Sequence, residues 1–136
     1  SLGISSYRSA AFCLQLETLF IEMESADELR KIQPDFLRMK KSSDAIIEVV
    51  ITWVSDDPGF DCLLRSFCPW IGIDEDPVTG SVHSVLGSYW QQQLNKDILK
   101  AYQASWRGGE ILVNAFDDKI EIGGKAVIIV TGEMNY

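Results

Sequence analysis

The sequence predicts an α+β domain in which a mostly antiparallel sheet is rolled around one central helix. Three observations carry the fold class. About eight short stretches read as strands against one long helix and one short helix pair, and most strand connections are of hairpin length. The long helical stretch is apolar over a wide arc, so it belongs inside the protein. A chain of 136 residues makes one domain, able to bury roughly 70% of its unfolded surface.

Residues 1–9 are serine-rich and read as a flexible N-terminal segment, with residues 10–136 forming the single domain. Ala10–Glu17 and Thr18–Glu24 read as strands; in the second, Leu19, Ile21 and Met23 alternate with Phe20, Glu22 and Glu24. Ser25 with Glu28 makes a capping box for a short helix over Ala26–Ile32. Pro34 ends that helix, Asp35–Lys40 adds another helical turn, and Lys40 and Lys41 suit its C-terminus. Ala45–Ser55, dense in β-branched residues, reads as a buried strand. Asp56–Gly59 is a turn by composition, and Phe60–Pro69 returns antiparallel. Gly72–Gly80, containing Pro77, reads as a loop. Val82, Val85, Leu86, Tyr89, Trp90 and Leu94 recur at helical spacing over Ser81–Leu94. Ile98–Trp106, Gly109–Ala115, Lys119–Ile122 and Lys125–Thr131 read as four more strands, joined at Gly108-Gly109, Asp117-Asp118 and Gly123-Gly124.

Composition narrows the function. Hydrophobic residues are 46% and charged residues 24%, which excludes disorder over most of the length. Twelve basic against 20 acidic residues give a net charge of −8. Such a surface repels phosphate backbones and anionic bilayers, so neither nucleic acid nor a membrane is an expected partner. No apolar run reaches the roughly 18 residues that cross a bilayer. Residues 1–9 lack the apolar core of a secretion signal. Cys13, Cys62 and Cys68, odd in number and unevenly spaced, point to buried thiols in a reducing compartment and thus to a cytoplasmic protein.

Chemistry concentrates between Gly72 and His83. Asp74, Glu75 and Asp76 place three successive carboxylates just ahead of a helix whose free N–H groups attract anions. Thr79 and Ser81 are candidate caps, and Gly80 lets a ligand approach the backbone closely. Read functionally, this is an anion site at a helix start with one carboxylate placed for proton transfer. Read structurally, it is a solvated acidic loop with an ordinary cap. His83, the one histidine, is either a ligand-binding group or a packed helical side chain. The cysteine and histidine spacing lacks a zinc pattern, and the acidic run lacks a calcium-loop pattern. No phosphate-binding loop, dinucleotide fingerprint or nucleophile elbow is present. The four tryptophans read as core or interface, because no basic groove accompanies them.

Phe67-Cys68-Pro69, the run Gly72-Ile73-Asp74-Glu75-Asp76-Pro77-Val78-Thr79-Gly80-Ser81-Val82-His83, and Tyr89-Trp90 resemble the phenazine-biosynthesis PhzF-like family. Tyr102-Gln103-Ala104-Ser105 with Arg107-Gly108-Gly109, and Gly124-Lys125-Ala126-Val127 with Gly132, extend the resemblance over Leu16–Thr131. It implies a diaminopimelate epimerase-like fold of two similar halves with the active site between them, this chain being similar to the second half. It implies proton transfer on a small carboxylate substrate, with no metal and no organic cofactor. Asp76 matches an Asp implicated in proton handling, Gly80 and Ser81 match positions that contact the substrate carboxylate, and His83 matches a motif histidine. The family's catalytic Glu lies in the first half. None of the three cysteines falls within Asp76–Ser81, which speaks against the two-thiol racemisation of related enzymes.

The expected function is therefore a PhzF-like isomerase or epimerase segment. Proton shuttling needs an acid and a base fixed about one carbon, with water excluded. A complementary first-half chain or a homodimer would supply the opposite wall, since a two-fold pair imitates the family's pseudo-symmetry. The competing reading is a non-catalytic binding or interaction protein, or a truncated fragment that keeps the fold.

Overall fold

The period-two stretches assemble into one eight-stranded sheet, with helices packed on both of its faces. The computed structural model describes residues 1–116 and 119–134. In chain order the elements are β1 (Ser9–Cys13), β2 (Thr18–Glu22), α1 (Ala26–Lys31), α2 (Phe36–Lys40), β3 (Glu48–Val54), β4 (Cys62–Cys68), β5 (Ile73–Asp76), α3 (His83–Leu94), β6 (Ile98–Gln103), β7 (Gly109–Ala115) and β8 (Ile120–Gly123). The strands lie in the order β1-β2-β3-β4-β6-β7-β8, with β5 also paired to β4. Five of the seven pairings are antiparallel; β2 with β3 and β4 with β6 are parallel.

The two parallel pairings explain the layering. Each needs a crossover, through α1 and α2 in one case and α3 in the other. Because β3 and β4 are antiparallel, two right-handed crossovers moving the same way across the sheet fall on opposite faces. Side-chain alternation follows suit. Val49, Ile51, Leu63 and Phe67 pack with Leu29 and Met39 of α1 and α2. Val50, Leu64, Ala101, Ile111 and Val113 pack with Leu86 and Trp90 of α3. The sheet thus wraps one face around α3, as expected, and carries a second core beneath the short helices, which the sequence does not announce.

Ser25 caps α1 as expected, and Asp35, expected within the second helical turn, stands one residue ahead of α2 as its cap. The Ser25 side chain accepts from the Glu28 N–H, and the Asp35 side chain accepts from the Arg38 N–H. Before β1, Leu2 is buried in the first core and the Ser1 carbonyl accepts from the Asp35 N–H at 2.9 Å. Three expectations change. The Gly72–Gly80 loop contains β5, because Ile73–Asp76 pairs with the end of β4. The strand expected over Lys125–Thr131 is absent; Val127–Val130 lie exposed and unpaired. Burial on α3 is one-sided, through His83, Leu86, Gly87 and Trp90, with Val85, Tyr89 and Leu94 only half-buried. The Asp117-Asp118 connection lies outside the described residues. No described helix is long and apolar enough to cross a membrane.

Candidate functional site

The site region is made by an interruption in the sheet. β6 runs parallel to β4 along Cys62–Leu64, while β5 runs antiparallel along Ser66–Cys68. Both therefore end near Arg65, and the segment between Asp76 and α3 turns away at that point. Strand alternation turns Glu75 away from its two acidic neighbours, Asp74 and Asp76. Glu75 pairs with the guanidinium of Arg65 at 2.7 and 3.1 Å. Asp74 is exposed, and Asp76, half-buried, faces the cleft.

That cleft has a volume of about 380 Å³ and is lined in part by Glu48, Cys68, Asp76, Thr79 and Ser81. Asp76 Oδ2 accepts from the Thr79 hydroxyl at 2.6 Å. Glu48 accepts from the hydroxyls of Ser66 and of Thr18. Burial, together with the carboxylates of Glu48 and Asp76, pushes the Cys68 thiol up to about 11, so it stays protonated at neutral pH. Cys62, buried deeper, is pushed up to about 12.

Thr79 and Ser81 do not cap α3 through their side chains. The N-cap is Val82, with no side-chain bond. The first turn is tightened instead, by His83 N–H to Gly80 carbonyl and Ser84 N–H to Ser81 carbonyl, both at 3.1 Å. The N–H groups of Gly80 and Ser81 make no hydrogen bond to the described residues, and a Cβ built on Gly80 would meet open space. Asp76 and Ser81 are therefore brought together on the lining of the cleft, while Gly80, next to Ser81 in sequence, is exposed and is not part of that lining. His83 is not brought there: it does not line the cleft, is 1% exposed, and its Nε2 has no hydrogen-bond partner among the described residues. Burial holds its pKa down at about 4.

Sequence reasoning missed Glu48, Gln103 and the inward role of Thr79. Gln103 stands on the face of β6 that also presents Leu99 and Ala101 to α3. A polar residue in that register was the signal available. Among the described residues no group of three His, Cys, Asp or Glu side chains is arranged to hold a metal ion.

The comparisons bear on the fold and the family. The family model described as phenazine biosynthesis-like protein matches residues 6–132. An uncharacterized isomerase of Halalkalibacterium halodurans is 37% identical over 114 residues, which are 84% of this chain and 42% of that protein. The human phenazine biosynthesis-like domain-containing protein is 36% identical over 76% of this chain and 38% of its own length. The crystal structure of a PhzF-family protein from Enterococcus faecalis superposes with a TM-score of 0.84 and 34% identity, covering 95% of this chain and 47% of the other. The chain thus spans less than half the length of these relatives. With its fold, its Asp76–Ser81 motif and the family match over most of its length in agreement, the chain belongs to the phenazine biosynthesis-like PhzF family.

Proposed function

We propose that this chain supplies one wall of an isomerase or epimerase active site that moves a proton on a small carboxylate substrate without metal or organic cofactor. The observation that carries the reading is the meeting, at one cleft, of the Asp76 carboxylate with the start of α3, where the Gly80 and Ser81 amides are unengaged. The helix start and the Ser81 hydroxyl bind the substrate carboxylate, and Asp76 takes or returns the proton on the neighbouring carbon. Two relatives are named uncharacterized isomerases. Transfer across a carbon needs a second group opposite Asp76 and a closed site. A complementary first-half polypeptide or a second copy of the chain provides that wall, in the cytoplasm.

Solvent deuterium incorporation into candidate amino and hydroxy acids, for wild type and Asp76→Asn, tests the reading. The variant is expected to exchange at least about 10²-fold more slowly. Equal rates would remove Asp76 from the reaction. Calorimetric binding of the acids with no exchange by wild type, either alone or mixed with a complementary first-half polypeptide of the family, would make the protein a binding module.

A further inference from the structure

β5 ends at Asp76, beyond which the chain leaves the sheet on its way to α3, and the backbone groups there need other partners. One side chain supplies these. The Gln103 carboxamide is fully buried. Its Oε1 accepts from the Thr79 N–H at 2.7 Å, and its Nε2 donates to the Asp76 carbonyl at 2.6 Å and to the Thr79 hydroxyl oxygen at 3.1 Å. The amide cannot be reversed, because a backbone N–H only donates and a carbonyl only accepts. The Thr79 hydroxyl therefore already accepts from Gln103, and its single proton goes to Asp76 Oδ2 at 2.6 Å.

We propose that Gln103 is a positioning residue for Asp76, acting by fixing the direction of the Thr79 hydroxyl. The relay aims a permanent donor at one carboxylate oxygen and fixes the orientation of the carboxylate. The other oxygen, Oδ1, takes no hydrogen bond from the described residues and is left to accept the proton. The inference rests on the reading that Asp76 moves a proton. The other titratable groups lining the cleft are Glu48 on β3 and Cys68 on β4, and the variants below leave both in place.

The carbon-13 chemical shift of the Asp76 carboxyl at fixed neutral pH tests the relay without requiring turnover, since it responds to the donor held on Oδ2. Wild type is compared with Thr79→Val, which keeps the shape and removes the hydroxyl, and with Thr79→Ser and Gln103→Leu. The resonance is expected to shift in Thr79→Val, which leaves Oδ2 without its donor, and to return in Thr79→Ser. Gln103→Leu is expected to shift it in the same direction, and exchange should slow in both Thr79→Val and Gln103→Leu. Gln103→Met replaces Gln103→Leu if the latter does not fold. An unshifted resonance in Thr79→Val would overturn the relay, as would failure of Thr79→Ser to restore the wild-type position. A displaced resonance alongside equal exchange by wild type and Asp76→Asn would sink the isomerase reading instead and leave the relay standing.

Discussion

Arg65 is a charge buried inside a sheet, and its donors are engaged. Nε and Nη2 reach Glu75, while Nη1 reaches the carbonyls of Leu29, Arg30 and Ile32 at 3.2, 3.3 and 2.7 Å. It thereby binds β5 and the end of α1 to β4, with the guanidinium 4.9 Å above the Phe67 ring. The Arg65 and Glu75 side chains are 10% and 14% exposed, so removing one partner leaves an uncompensated charge in poor solvent. Arg65→Met is expected to lower stability by about 3 kcal/mol in urea titrations, with part recovered in the Arg65→Met/Glu75→Leu pair. No recovery in the double variant would mean that the carbonyls, not Glu75, dominate. His83 gives a second residue-scale expectation. Its folded pKa of about 4 lies below the free value of 6.5, so the folded state prefers the neutral ring. That preference is fully present above pH 6.5 and is lost as pH falls through 4. Wild type should lose about 3 kcal/mol more than His83→Leu between pH 7 and pH 4. Parallel urea midpoints for the two proteins would contradict it.

At the scale of elements, what the sequence made legible was whatever depended on local chemistry. Ser25 announces a cap because a short polar side chain followed by a helical turn has one good use. β7 is recovered over Gly109–Ala115, because its alternation is clean and Gly108, at φ 70°, marks the preceding turn. β5 was illegible, since Ile-Asp-Glu-Asp is a poor strand by propensity and forms only because β4 offers an edge and Arg65 offers a counter-charge. Gln103 was illegible as a functional residue for the same reason: its partners lie 24 to 27 positions away. The motif loop depends on a further distant contact. A Cβ on Gly109 would stand 2.2 Å from Val78 Cγ2, within the segment that joins Asp76 to α3. Gly109→Ala must push Val78 and that segment aside. Exchange is expected to fall on the order of 10²-fold, while stability changes by no more than about 1 kcal/mol because Val78 can shift toward solvent. Undiminished exchange, with the urea midpoint checked on the same preparation, would show that the segment tolerates the displacement.

For the molecule as a whole, the segment after β8 poses the main imbalance. Val127, Ile128, Ile129 and Val130 are 82–90% exposed, although consecutive aliphatic residues of this kind favour a strand buried on both faces. Burying each side chain is worth about 1.5–3 kcal/mol. The ends of the sheet order, β1 and β8, also present free backbone edges that can template an added strand. Against this stands the net charge of −8, which repels like copies and is screened at higher salt. The apolar term is short-ranged and survives salt; the repulsion does not. Self-association is therefore expected at tens of micromolar chain, stronger at about 0.5 M than at about 0.05 M salt. Val127→Lys with Ile129→Lys, alternate positions on one face of the expected strand, should return the protein to monomer at both salt concentrations. Sedimentation velocity distinguishes the outcomes. A wild-type monomer at both salt concentrations would mean that the apolar segment finds no edge on its own kind, and that the opposite wall of the cleft must come from a different polypeptide.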